Sequence, residues 1–278
     1  ILAKQHYDLA IKLFPKDIRI KLLTSKTDIN ERKKIINDLK NHKIDFAIGT
    51  HSIFQDKIIY KKLGLIIIDE QHKFGVRQRK KLSDKGGKNC DTLVMSATPI
   101  PRTMIMTIFG DMDVSIIRNK PKKRKEVKTY SKSSSKINEI ILFVKKNTKA
   151  GNQIFWVCPL IEESKLLDHE SSIEKYNFLK KIFNEKVGLI HGSLTSEEKY
   201  ITLRKFLQKK IDILVSTTVI EVGIDFPNAN VIVIENANKF GLSQLHQLRG
   251  RVGRGAKEST CILMFKSNLS ENAKKRIN

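Results

Sequence analysis

The sequence predicts an α/β protein of two tandem lobes, each built on a mainly parallel sheet. Three observations carry that expectation. The chain of 278 residues is long for one core, because single cores stop growing near roughly 250 residues. An internal duplication aligns residues 22–51 with 189–218 without a gap, an offset of 167 (189 less 22). Near-continuous apolar runs alternate with helical patterns, as in parallel sheets covered on both faces.

Each copy opens on a short apolar strand and then places Asp28 or Thr195 three residues ahead of Glu31 or Glu198. At that spacing a cap side chain and a Glu satisfy the free N–H groups of a helix start, so a helix follows. Both helices run into Lys43-Ile44-Asp45 or Lys210-Ile211-Asp212, and a strand then ends at Gly49-Thr50 or Ser216-Thr217. The next strand recurs as Leu65–Ile68 and Val231–Ile234, one residue out of step. Further strands are expected at Thr92–Met95, Ile154–Val157 and Cys261–Phe265. Between the copies, residues 118–136 are charged, poor in apolar side chains and broken by Pro121, which predicts a linker. The lobes are therefore expected at residues 1–121 and 122–278.

With 40% hydrophobic and 29% charged residues the chain has material for real cores, which excludes a disordered or collagen-like polymer. The longest apolar run, Leu63–Ile68, is far short of the ~18 residues that suggest a membrane span. The N-terminus has no signal-peptide pattern, and its start on Ile rather than Met predicts a piece of a longer polypeptide. Cys90, Cys158 and Cys261 are odd in number and lack metal-ligand spacing, so they read as buried thiols of a cytoplasmic protein. A net charge of +24 attracts polyanions, nucleic acid first among them, and repels other copies, which predicts a monomer. A lysine-rich composition accounts for part of that excess, so charge alone assigns no partner.

The lobes have diverged where chemistry is expected. After its third strand the first lobe carries Asp69-Glu70-Gln71-His72, and the second carries Glu235-Asn236-Ala237-Asn238. Ligands of parallel α/β sheets collect at the carboxyl ends of strands, where Asp69 and Glu70 fall. Two carboxylates there can divide the work of holding hydrated magnesium and orienting a water. The second lobe supplies the opposite charge in QLHQLRGRVGRG, residues 244–255, where a turn into a helix brings Arg251 and Arg254 to one ligand. Guanidinium forks suit phosphate oxygens. A basic surface helix touching nucleic acid is the plainer reading, and the polar run Thr217–Asp225 in the same lobe weighs against it. Acids on one lobe and arginines on the other imply a nucleotide clamped between them.

The order GTHS, DEQH, MSATPIPRT, VCPLIEES, IHG, STTVIEVGID, VIENA and QLHQLRGRVGRG resembles the superfamily 2 helicases, and most closely their RecG family of bacterial DNA helicases. The resemblance covers essentially the whole chain. The transcription-repair coupling factors are a near alternative, whose corresponding box is typically DEEH. The resemblance implies two RecA-like domains of the P-loop NTPase fold that hydrolyse ATP with Mg2+ and move along DNA, acting on stalled forks and Holliday junctions. It implies magnesium at Asp69, water activation by Glu70, and arginine fingers at Arg251 and Arg254 with Gln247 beside them. Gln71 and His72 then couple the site to DNA and the other lobe through Ser96 and Thr98. Gly223 and Asp225 form the second lobe's nucleotide loop, and Thr50, His51, His191 and Thr217 lie nearer the DNA track.

Departures matter too. No GxxxxGK[ST] phosphate loop (Walker A) occurs, and Gly86-Gly87-Lys88 lacks both its spacing and its hydroxyl. In the family that loop lies upstream of this segment, so the first lobe is expected to be truncated at its N-terminus and inactive alone. A non-catalytic nucleic-acid-binding remnant is the alternative. Leu23-Thr24-Ser25 stands where the family has Leu-Thr-Gly. Trp156 reads as packing, His6, His42 and His169, which lack partners at ligand spacing, as surface residues, and Lys122, Lys123, Arg124 and Lys125 as linker charge.

Overall fold

The computed structural model describes residues 2–70, 82, 84–87, 89–96, 113–119, 125–159, 165–217, 226–253, 255 and 257–266. The chain divides into two compact units, Ile1–Ile105 and Met106–Asn278. The boundary expected at residue 121 lies outside the described residues.

The first unit begins with helix α1 (Leu2–Leu13), followed by strand β1 (Ile20–Leu23), helix α2 (Ile29–Lys40) and strand β2 (Phe46–Gly49). Strands β3 (Leu65–Ile68) and β4 (Asp91–Val94) come next. β1 pairs with β2 and β3 with β4, both in parallel. α1 packs against β1 and β2, burying Ala3 and Ala10 on one face. Leu23, Ile35, Leu39, Ile44 and Ile58 form one core cluster, and Phe54, Ile66, Ile68 and Leu82 another.

The second unit is a three-layer sandwich. Its sheet comprises β5 (Val127–Ser133), β6 (Gln153–Val157), β7 (Val187–Ile190), β8 (Ile213–Ser216), β9 (Ala229–Ile234) and β10 (Ser259–Phe265), in the spatial order β5-β10-β9-β6-β8-β7. Every pairing is parallel. Helices α3 (Ile137–Lys149) and α4 (Lys165–Phe183) cover one face, where Ile140, Val144 and Leu179 meet Ile154, Trp156, Val215 and Val233. Helices α5 (Ser196–Leu207) and α6 (Leu242–Arg249) cover the other, where Phe206 and Leu248 meet Phe155, Leu214 and Ile232. Alternate residues of one strand thus feed both cores, which is why β6, β8 and β9 are buried along their whole length. Phe155, Phe206 and Phe226 pack ring to ring at 5.2–5.5 Å.

The duplication is reproduced in the element bounds and in the devices that cap and close them. β1, α2 and β2 have the same bounds as β7, α5 and β8 after the 167-residue shift. The capping box is complete at Thr195: Glu198 N donates to Thr195 Oγ1 at 3.2 Å and Thr195 N donates to Glu198 Oε2 at 2.8 Å. Asp28 caps α2 by accepting from Asn30 N and Glu31 N. Both helices end on a left-handed residue with φ 58°, His42 and Lys209. The amides beyond them close the turn, Lys43 N on Asp38 O at 2.8 Å and Lys210 N on Lys205 O at 2.9 Å. An ion pair recurs at the strand starts, Arg19 with Asp45 at 2.7 Å and Lys186 with Asp212 at 3.9 Å. Thr195→Ala removes both hydroxyl bonds to Glu198, the cap bond from its amide and the bond to its carboxylate, and is expected to cost about 1 kcal/mol, read by chemical denaturation of the second unit.

Three expectations need correcting. Residues 127–133 of the expected linker form β5, an edge strand with Lys128, Thr129, Tyr130 and Ser131 exposed and Lys132 half-buried. Lysines suit such an edge because they discourage pairing with another chain. Burial of the sheet on both faces holds for the second unit, whereas β3 and β4 bury one face and leave Leu65, Ile67 and Leu93 exposed on the other. Each described sheet of the first unit has only two strands. Cys90, expected among the buried thiols, is only half-buried. Trp156 is fully buried, and so are Cys158 and Cys261. Burial pushes the Cys261 thiol up to about 12 and raises Cys158 as well. Burial and Asp91 raise the Cys90 thiol too, so access decides: a thiol reagent should modify the half-buried Cys90 in the native protein and the other two only after unfolding, checked by mass spectrometry of the labelled chain.

Candidate active site

β3 delivers Asp69 and Glu70 at its carboxyl end. The chain turns there through Glu70, whose φ of 50° lies in the left-handed region. Glu70 N donates to Asp69 Oδ1 at 2.9 Å, so the turn fixes one oxygen of the preceding carboxylate. Asp69 Oδ2 lies 3.7 Å from His6 Nε2 on α1, and the Asp69 side chain is 42% exposed. Glu70 Oε2 is buried. Asp69 therefore opens to solvent while Glu70 turns inward. Among the described residues no group of three acids, histidines or cysteines converges to hold a metal unaided. That arrangement fits magnesium, which keeps several waters and phosphate oxygens and takes one or two carboxylates from the protein.

Thr50 ends β2 exposed, and its amide donates to Leu23 O at 3.4 Å. His51 starts a short 3-10 turn and meets the Phe54 ring edge-on at 6.0 Å. The neighbouring turn closes through hydroxyls, with Thr24 N donating to Thr27 Oγ1 at 2.9 Å. Ser25 takes no left-handed backbone there, so the turn does not need the family's glycine. Ser96 lies exposed just beyond β4.

In the second unit the same corner is buried. Thr217 N donates to Ile190 O at 3.3 Å, the counterpart of the Thr50 bond. Thr217 is 1% exposed and His191 7%. The Ser216 and Thr217 hydroxyl oxygens have no hydrogen-bond partner among the described residues. Gln247 sits half-buried on α6. Arg251 is also buried, in the turn that leaves α6 rather than one that enters a helix as the sequence suggested. Gly253 has φ 77°, and a Cβ there would stand 2.8 Å from Val127 Cγ2, so only glycine fits beside β5. Arg254, Gln71, His72, Thr98, Gly223 and Asp225 lie outside the described residues.

Sequence reasoning missed a cluster at the end of β9. Glu235 Oε1 accepts from Trp156 Nε1 at 2.9 Å and from Lys175 Nζ at 2.8 Å. It also missed His6. Neither has a spacing signature, because their partners come from a different strand or helix.

Comparisons with known proteins agree with this architecture. A family model described as DEAD/DEAH box helicase matches residues 1–107, and the helicase conserved C-terminal domain matches residues 132–256. The chain is 50% identical to the ATP-dependent DNA helicase RecG of Bacillus subtilis and 51% identical to that of Thermotoga maritima, in each case over its whole length. It spans 41% and 36% of those two relatives. A solved structure of RecG bound to a three-way DNA junction superposes with a TM-score of 0.77 at 46% identity, covering 99% of this chain and 36% of that one. Yeast Dbp5 bound to RNA and ADP BeF3 reaches a TM-score of 0.71 at 17% identity, a likeness of fold. With two RecA-like domains in tandem and this identity along its full length, the chain belongs to the RecG-type helicases of superfamily 2.

Proposed function

We propose that the chain is the motor part of an ATP-dependent DNA helicase that acts on branched DNA, stalled forks and Holliday junctions among them. The observation that carries this reading is the Asp69–Glu70 pair, held at the carboxyl end of β3 in a chain half identical to ATP-dependent DNA helicases. The lobes are taken as residues 1–121 and 122–278, and the protein as a cytoplasmic monomer. Asp69 holds magnesium, whose chemistry when bound is to neutralise charge on the phosphate oxygens of ATP. Glu70 orients the attacking water and accepts its proton. Arg251 and Arg254 stabilise charge that develops on the transferred phosphoryl group, with Gln247, Gly223 and Asp225 contributing to the nucleotide contacts. Gln71, His72, Ser96 and Thr98 relay the state of the site to DNA. Thr50, His51, His191 and Thr217 lie along the strand ends that face the DNA backbone.

Backbone contacts of this kind hold phosphates without reading bases, so binding should be insensitive to sequence and sensitive to salt. A three-way junction is expected to bind more tightly than linear duplex. Affinity for both should fall by about tenfold or more as salt rises from roughly 50 to 200 mM, through counterion release. Fluorescence anisotropy across a salt series measures it. Affinity that stays flat over that range means that the +24 charge plays no part in DNA binding.

A further inference from the structure

The duplication carries a second message at the acidic corner. Asp69 and Glu235 occupy the same place in the two units, one residue past β3 and β9, and each precedes a left-handed residue, Glu70 at φ 50° and Asn236 at φ 46°. In the second unit that carboxylate is occupied. Lys175 Nζ stands 2.8 Å from Glu235 Oε1, Trp156 Nε1 donates to the same oxygen at 2.9 Å, and the Glu235 side chain is only 15% exposed. Lys175 projects from α4, the helix that leads into β7. The helix that leads into β1 is α1, and the side chain it brings to Asp69 is His6, with Nε2 3.7 Å from Oδ2. His6 stands 14 residues ahead of Ile20 (20 less 6) and Lys175 stands 12 ahead of Val187 (187 less 175), a difference of less than one helical turn.

The two partners differ in what they leave behind. An ammonium brings a full positive charge to the carboxylate, so a divalent cation has to displace it before it can bind. An imidazole steers a carboxylate with a single N–H and leaves its lone pairs available. At 3.7 Å the His6–Asp69 pair is an electrostatic contact a few tenths of an ångström from a hydrogen bond. Glu70 N donates to Oδ1 and His6 stands 3.7 Å from Oδ2, so each oxygen of Asp69 has a neighbour while the side chain stays 42% exposed.

We infer that His6 is a positioning residue of the magnesium site: it replaces the lysine of the duplicated lobe, orients Asp69 and leaves its charge to a divalent cation. The inference rests on the reading of Asp69 as the magnesium-binding carboxylate. Partners of this kind orient a metal-binding side chain, and their loss typically lowers metal affinity about 10- to 100-fold.

The test uses Mn2+ as a paramagnetic stand-in for magnesium, titrated into the 278-residue chain and followed by broadening of the amide signals of Ile68, Asp69 and Glu70. Asp69→Asn should abolish the broadening. His6→Ala should raise the Mn2+ concentration required by about tenfold and His6→Lys by more, because it installs the second lobe's ammonium. His6→Gln, which keeps an N–H donor, should stay near wild type. The His6 side chain is 49% exposed, so all three variants should melt at the wild-type temperature, a readout that separates positioning from folding. Equal broadening in wild type, His6→Ala and His6→Lys, with loss in Asp69→Asn, overturns the role of His6 alone. Broadening that persists in Asp69→Asn, or that is missing in wild type, overturns the magnesium reading itself.

Discussion

Glu70→Gln should stop DNA-stimulated ATP hydrolysis and leave nucleotide binding intact in a polypeptide that joins these residues to a phosphate loop. The substitution keeps the shape of the side chain and its buried position, and it leaves Asp69 to hold the metal. What it removes, on the proposed mechanism, is the group that takes the proton from the attacking water. General-base catalysis is worth about 10²- to 10⁴-fold, so turnover at saturating DNA should fall by that factor. The backbone adds a second arm. Glu70 is held at φ 50°, where a side chain other than Asn, Asp or Gly costs roughly 1–2 kcal/mol, and the duplicated position holds Asn236 at φ 46°. Glu70→Asn should therefore raise the melting temperature while also removing turnover, the mark of strain kept at a working site. Turnover within a few-fold of wild type in Glu70→Gln, measured alongside unchanged affinity for a fluorescent nucleotide, would remove Glu70 from the chemistry.

The lobes were legible because one device is written twice. Asp28 and Thr195 announce α2 and α5, His42 and Lys209 end them, and the strand bounds agree residue for residue. Local rules govern such features: a cap needs a side chain three residues from its partner, and a buried strand needs a run of apolar side chains. Features that depend on tertiary placement were not legible. β5 has the composition of a linker, and it is a strand because β10 offers it a parallel edge along seven registered residues. The Arg251 segment reads as the entrance to a helix, but α6 lies before it. His6 has no sequence neighbour to mark it, since only the packing of α1 on β1 and β2 carries it to Asp69. The burial of Thr217 against the exposure of Thr50 is invisible at the level of the repeat, where the two residues are identical and make the same backbone bond.

These 278 residues by themselves are expected to bind DNA and to turn over no ATP. Phosphoryl transfer depends on holding the β- and γ-phosphates in line, which family enzymes do with the backbone amides and lysine of a phosphate loop. No GxxxxGK[ST] occurs in the sequence. In the proposed mechanism Asp69 and Glu70 hold a cation and a water, and Arg251 and Arg254 meet charge as it develops. None of the four positions a phosphate before the reaction begins. Positioning of that kind is worth on the order of 7–11 kcal/mol of the barrier, so its loss should put turnover below detection even with the acids and arginines intact. Extending the polypeptide on its N-terminal side through a phosphate loop should restore DNA-stimulated hydrolysis, and Arg254→Ala in that longer protein should reduce it again by about 10³-fold. The measurement is phosphate release with and without a three-way junction. Robust junction-stimulated release by the 278-residue chain, abolished by Glu70→Gln to exclude a contaminant, would mean that some other element of the chain cradles the phosphates. Release that stays absent after the extension, with DNA binding intact, would leave the chain a nucleic-acid-binding protein without a motor.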